Sequence, residues 1–268
     1  LGVYITFRVL DFADMTVEGS FPLGAAICVY FLIRDHHPLL ALLAAGLLGG
    51  VAGIVTGLLH TKLRIPSLLA GILSMIALYS VNLRIMGKAN VSLLGKETAF
   101  TYMETLGLDY AQSVFIVGLL ATVVIGTLIY WFFGTEIGAA IRATGFNPQM
   151  IRAQGIDTNV MLLLGLFLSN ALTAMAGAFI GMNNGFFDVG MGVGTIVIGL
   201  ASVIIGEVLF GTRSFKNSLV SVILGSIVYR FVIAIVLQMG MPPNDLKLFT
   251  SVLVVIALAL PMMRDKVQ

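Results

Sequence analysis

The sequence predicts an all-α integral membrane protein, a polytopic bundle of helices, on three observations. Hydrophobic residues make up 59% of the 268 positions and charged residues 10%, against about 45–50% and about 25% in soluble domains. The mean hydropathy is +1.04. Apolar runs such as "PLLALLAAGLLGGVAGIVTGLLH" (Pro38–His60) are long enough, at about 1.5 Å per residue, to cross a ~30 Å hydrocarbon core.

Breaking the chain wherever polar clusters interrupt apolar runs gives about nine spans. The first, 1–12, reads "LGVYITFRVLDF". It has no initiator Met and opens as if halfway along a span, so the first helix is expected to be incomplete. The second, 20–34, follows "DMTVEGS", where Gly19 and Pro22 predict a break rather than one straight helix. The third and fourth, 38–59 and 67–86, are separated from their neighbours by joints such as "RDHHP" (Arg34–Pro38). A long polar loop, Gly87–Asp109, precedes the fifth at 111–133. The sixth, 159–182, leads to a second glycine-rich candidate break, Gly185–Gly199, which overlaps the seventh at 191–210. The eighth and ninth, 218–239 and 247–263, are divided by "MGMPPND". No stretch suits a soluble domain.

The lone cysteine, Cys28, excludes an intrachain disulfide and a multi-cysteine metal site. The net charge of +2 is what basic loops on one membrane face produce, and nothing points to nucleic acid. Assigning alternate loops to opposite sides puts Arg8, Lys62, Arg64, Arg142, Arg152, Arg213, Lys216, Arg264 and Lys266 on one side, and Arg34, Arg84, Lys88, Lys96 and Lys247 on the other. The richer set is expected to be cytoplasmic. The C-terminus then lies inside, and Gly87–Asp109 lies outside.

That orientation places the insert "GTEIGAAIRATGFNPQMIRAQGID" (Gly134–Asp157) at the inner face. Ile137, Ala140 and Ile141 share a side at helical spacing, with Arg142 on another. Gly145 is expected to stop this first helix, and Asn147-Pro148 reads as an N-cap followed by proline at the first helical position. A second short helix is expected to end at Gly155. Two short helices with a sharp turn suit a docking surface, although a plain connector remains the alternative.

Polar residues within spans are costly and mark candidate functional groups. Asp14, Thr16, Glu18 and Ser20 lie at the expected break after the first span, either lining a pathway or capping a turn. Asn82 and Asn170 sit inside the fourth and sixth spans, where bridging helices is the plainer role. Glu207 lies near the end of the seventh span. Arg230 is the deepest charge, in the middle of the eighth, and is expected to face protein. His36, His37 and His60 lie at span edges.

"GAAIRATGFNP…AQGID" with "LFLSNALTAMAGAFIG" (Leu166–Gly181) resembles the coupling region and following helix of permease subunits of ABC importers of the branched-chain amino acid and ribose class. "LDFADMTVEGSFPLGAA" (Leu10–Ala26) and "GMGVGTIVIGLASVIIGEVLFG" (Gly190–Gly211) extend the match in the expected order. The first of these is most similar to the tryptophan/tyrosine importer subgroup.

The resemblance implies a type II ABC importer-like permease fold, with residues 1–268 as one transmembrane permease domain and 134–158 as cytoplasmic coupling helices. Ala139, Ala140 and Gly145 match the family's degenerate loop that fits a cleft on the ATPase. Glu136, Arg142, Asn147, Pro148, Arg152 and Gly155 complete the expected contact surface. The implied partners are a second copy of the chain, two cytoplasmic ATP-binding subunits holding ATP and Mg, an extracytoplasmic binding protein and the bilayer of the bacterial cytoplasmic membrane. No cofactor is expected in this chain. It has no G-x-x-x-x-G-K-[ST] phosphate loop, since Gly87-Lys88 and Gly95-Lys96 are followed by Ala and Glu. The solute implied is a small one, an aromatic amino acid first and a branched-chain amino acid, sugar or nucleoside next. An ion-coupled secondary transporter is the alternative from another class.

Overall fold

The computed structural model describes residues 1–93, 95–101, 107, 109–240, 245, 248–252 and 255. The ninth expected span, 247–263, and the basic residues Lys247, Arg264 and Lys266 fall largely or wholly outside the described residues. Six helices are long and apolar enough to cross a membrane among those described. The chain divides into two compact units, Gly2–Val193 and a second from Gly194 onward.

The first unit opens with a short α1 (Gly2–Tyr4) that continues as a π-helical turn, Ile5–Val9. Helices α2 (Val17–Ile33), α3 (Pro38–Thr61), α4 (Ser67–Met86) and α5 (Tyr110–Phe133) follow. Two short helices, α6 (Glu136–Phe146) and α7 (Pro148–Ala153), lead to the 27-residue α8 (Thr158–Asn184). Pro38 and Pro148 each occupy a first helical turn, where a missing N–H costs nothing. The sequence boundaries for α3, α4, α5 and α8 hold to within about two residues, a normal margin for helix ends.

Small residues let α8 and its neighbours approach closely, as spanning helices require when burial against lipid offers no driving force. Along α3, a Cβ on Gly49 would strike Ala174, one on Gly53 the Leu166 carbonyl and one on Gly57 the Leu163 side chain, so α3 and α8 run antiparallel. On α2, Gly24 lies against Ala174, while Gly177 of α8 lies against Phe21. Half of the most apolar window of α3 is buried, against 11% for α5.

The expected break at Gly19 and Pro22 is displaced. Both residues lie inside α2, and the irregular stretch is 10–16. Pro22 withholds the N–H that would serve the Glu18 carbonyl, but that carbonyl packs against Gly192, whose lack of a side chain permits the approach. The next carbonyl, of Gly19, accepts a hydrogen bond from Asn82 Nδ2 (3.1 Å). Neighbouring helices and loops thus compensate a proline that the local sequence alone would read as a breaker.

At the end away from α6 and α7, strand β1 (Asn90–Ser92) pairs antiparallel with β2 (Phe186–Asp188), with Val91 opposite Phe187. Phe187 is fully buried against Gly181. Gly185 (φ +71°) ends α8 in the left-handed conformation that glycine adopts without penalty. A 3-10 turn, Val189–Gly192, completes the unit. A break does occur within the expected stretch Gly185–Gly199, and it takes the form of this strand and turn.

Among its described residues the second unit contains α9 (Thr195–Phe210) and α10 (Phe215–Gln238), which form a hairpin. Gly206 lies against the Ser221 carbonyl and Gly225 against Ser202. The tight turn between them is held by Asn217 Nδ2 and Ser221 Oγ donating to the Gly211 carbonyl, at 3.0 and 2.7 Å.

Candidate functional site

The first unit holds a polar centre where the irregular stretch enters α2. Asp14, Thr16, Ser20, Thr56, Ser74, Asn82 and Asn170 are all buried. Asp14 Oδ1 accepts from the Thr16 backbone N–H (2.9 Å), and its Oδ2 accepts from Asn170 Nδ2 (2.8 Å). Asn170 also donates to the Leu166 carbonyl (3.0 Å) and accepts from Ser20 Oγ (2.6 Å). The Thr16 hydroxyl lies 2.7 Å from that of Thr56, which donates to Ser74 Oγ at 2.7 Å. These bonds join the start of α2 to α3, α4 and α8.

Burial of polar groups in a low-dielectric bundle is tolerated when they satisfy one another, and the Asn170 amide has bonded partners on both its oxygen and its nitrogen. Four of the candidate pathway residues, Asp14, Thr16, Ser20 and Asn170, therefore meet in one place; Asn82 reaches only the Gly19 carbonyl, and its Oδ1 is buried without a partner among the described residues. Asp14 holds the Thr16 amide, but the Thr16 side chain makes no cap to α2 and points to Thr56 instead. Thr56 and Ser74 were not singled out from the sequence. They carry the same signal as Asn82 and Asn170, polar groups inside apolar runs, but a hydroxyl is easily discounted because it can bond its own helix, as Thr56 does to the Ala52 carbonyl (3.3 Å).

The remaining candidates are Glu18, Glu207 and Arg230. Glu18 is half-buried in the first turn of α2. In the second unit, Glu207 is half-buried near the end of α9, and Arg230 is exposed on α10. The packing of Gly206 on Ser221 sets Glu207 near the level of Ser221, so Arg230 lies nine residues further along α10, about 13 Å at the usual rise.

The second candidate element is the α6–α7 pair. Thr135 caps α6 by accepting from the Gly138 N–H (3.3 Å), and Asn147 caps α7 by accepting from the Met150 N–H (3.0 Å). Arg152 Nε donates to Thr158 Oγ1 (2.8 Å), tying α7 to the start of α8. Gly155 follows with φ +84°. Ala140 and Ile141 are buried and Arg142 half-buried, whereas Glu136, Ala139, Asn147, Pro148, Arg152 and Gly155 are exposed.

Gly145 departs from expectation: it is not the stop of α6 but lies within it, without a positive φ. Its role is contact. A Cβ there would strike the Val9 carbonyl oxygen and come within 2.9 Å of the Leu10 Cα. Beyond it the turn presents Phe146, 92% exposed, and Met150, 45% exposed.

A polytopic apolar bundle with a buried polar centre and a capped helix–turn–helix at one end fits, as a class, a membrane transport protein. A family profile described as "Branched-chain amino acid transport system / permease component" matches residues 1–259. The chain belongs to that family and is a permease component of an ABC transport system. It is 40% identical over 259 residues to the tyrosine transport system permease protein of Clostridioides difficile (strain R20291), covering 97% of this chain and 85% of that one. An uncharacterized protein of Rickettsia prowazekii (strain Madrid E) is 32% identical over 264 residues, covering 97% and 91%. The autoinducer 2 import system permease protein LsrC of Salmonella typhimurium is 27% identical over 202 residues, covering 73% and 55%. No solved structure matches. Membership of a permease family implies ATP-binding and substrate-binding partners in general.

Proposed function

We propose that this chain is the membrane subunit of an ATP-driven importer of an aromatic amino acid, tyrosine or tryptophan. The observation that carries the substrate is the 40% identity, across nearly the whole chain, to a tyrosine transport permease. In this reading the permease is a homodimer in the bacterial cytoplasmic membrane, with its C-terminus and α6–α7 on the cytoplasmic side. Two separate ATP-binding subunits hold ATP and Mg and carry out hydrolysis, and an extracytoplasmic binding protein delivers the solute.

The α6–α7 pair is the seat for the ATP-binding subunit. Its capped ends give a fixed shape, and Phe146 with Met150 offers apolar area that a protein groove would bury. Of the candidate pathway residues in the first unit, the half-buried Glu18 is the one we assign to the path. Asp14, Thr16, Ser20, Asn82 and Asn170 are buried and we assign them to holding the first unit together.

The test is uptake of labelled tyrosine into proteoliposomes containing the permease, its ATP-binding subunit and its binding protein. Uptake that needs all three and internal ATP, and is competed by tryptophan, is expected. Uptake by the permease alone under a proton or sodium gradient would replace this reading with an ion-coupled transporter.

A further inference from the structure

Between α6 and the start of α2 the chain has no slack. The π-helical turn closes through the Leu10 N–H to the Ile5 carbonyl (3.0 Å) and the Phe12 N–H to the Thr6 carbonyl (2.9 Å). Gly145 of α6 presses on the Val9–Leu10 backbone, and a Cβ on Gly165 of α8 would lie 2.5 Å from Leu10 Cδ1. Asp11 then turns the chain with φ +50°, a conformation that few residues other than glycine adopt and that Asp tolerates better than most. Phe12 packs edge-on to His60 at the end of α3, with ring centroids 5.3 Å apart. Asp14 is held by Asn170, Met15 lies against Gly71 of α4, and Thr16 is bonded to Thr56.

The first turn of α2 hangs directly from this stretch. The Gly19 and Ser20 N–H groups both donate to the Thr16 carbonyl, each at 2.8 Å. A displacement of α6 therefore meets backbone at Val9–Leu10, and that backbone leads within six residues to the beginning of a helix whose own interior carries Gly19 and Pro22. The irregular stretch 10–16, pinned at both ends, can pivot, whereas a continuous helix would resist.

We propose that residues 9–16 are a transmission strap: movement of α6 is passed through Val9 and Leu10 to the start of α2, with the Asp14–Asn170 bond as the fulcrum. Leu10 and Asp14 are positioning residues in transport and do not touch the solute. The inference rests on the reading that α6–α7 seats the ATP-binding subunit.

The test uses the complete reconstituted complex and reads tyrosine transported per ATP hydrolysed, per folded complex, for Leu10→Ala, Leu10→Met and Asp14→Asn. Leu10→Ala and Asp14→Asn should keep the ATP-binding subunit bound and continue to hydrolyse ATP, while the transport-to-hydrolysis ratio falls about tenfold, a size that substitutions along coupling routes reach. Leu10→Met, which refills the contact with Gly165, should restore most of the ratio. A ratio equal to wild type in Leu10→Ala overturns the strap, whatever happens to the melting temperature. Should Asp14→Asn not assemble, Leu10→Ala decides alone, because it removes no buried hydrogen bond. Failure of the seat reading looks different: cross-linking from a cysteine placed at exposed Gln149 would then capture no ATP-binding subunit even in the wild-type background.

Discussion

The polar centre around Asn170 and the apolar tip at Phe146 both reverse the usual placement of residues, and they reverse it to opposite ends. In the centre, a carboxylate, two carboxamides and several hydroxyls are sealed inside a bundle made for lipid, and all but the Asn82 carboxamide bond one another. At the tip, a phenylalanine and a methionine stand exposed at the turn of an otherwise amphipathic pair. Although Asn82 Oδ1 is buried without a partner among the described residues, the rest of the centre is complete within a single chain. The tip is not, because apolar area held out on a rigid turn gains free energy only when something covers it. Polar burial here reports how the fold is held, and the exposed Phe146 and Met150 are the area that the proposed ATP-binding subunit would cover.

Substitutions can break that contrast, and the largest effect is expected at Gly145, which joins the two regions. Gly145→Val places a branched side chain into the Val9 carbonyl, a backbone atom that cannot swing aside. Overpacking of this kind costs about 1–3 kcal/mol, and transport should fall together with substrate-stimulated ATPase activity while α6 shifts. Activity assays of the reconstituted complex, beside thermal melting, check this; wild-type values in both would remove Gly145 from the contact.

Next in size is Asn170→Leu, which fills the space but leaves Asp14 Oδ2 and the Ser20 hydroxyl without their partner. Unsatisfied buried groups cost about 1–3 kcal/mol each, more when charged. A melting temperature several degrees lower is expected, and an unchanged one would mean that the centre is not closed as described. Thr56→Val is smaller still. It cuts the chain from Thr16 to Ser74 and should cost about 1 kcal/mol per lost bond, read by denaturant or thermal unfolding in detergent.

Thr16→Val and Glu18→Gln sharpen the comparison by separating holding from gating. Thr16 belongs to the bonded centre, so its loss should lower thermal stability while turnover per folded complex stays near wild type. Glu18 is half-buried and assigned to the path, so Glu18→Gln should lower turnover with little change in melting. The reverse pattern would exchange the two roles.

The long helices were legible because apolar runs of spanning length leave little choice, and Asn147-Pro148 was legible because an N-cap and a following proline act through local geometry alone. What was misread depends on distant partners. Gly145 reads as a stop by its place near the end of a short helix, yet its reason is a backbone 135 residues away in sequence. Gly19 and Pro22 read as a break, yet both lie inside α2, where Asn82 bonds the Gly19 carbonyl and Gly192 packs on that of Glu18. The pairing of residues 90–92 with 186–188 has no local signature in either three-residue strand. Among the polar candidates, residue type and depth identified most of the centre, but not that its members bond each other.

The central claim is that the tip is unfinished without an ATP-binding subunit, and Phe146→Asp tests it most directly. Purified in mild detergent with its coexpressed ATP-binding subunit, the wild-type permease should retain one such subunit per permease chain, measured by native mass spectrometry. The Phe146→Asp permease should melt as the wild type does, since residue 146 is 92% exposed, and should lose the subunit. Full retention by the variant would contradict the account and leave α6–α7 a connector between two spans.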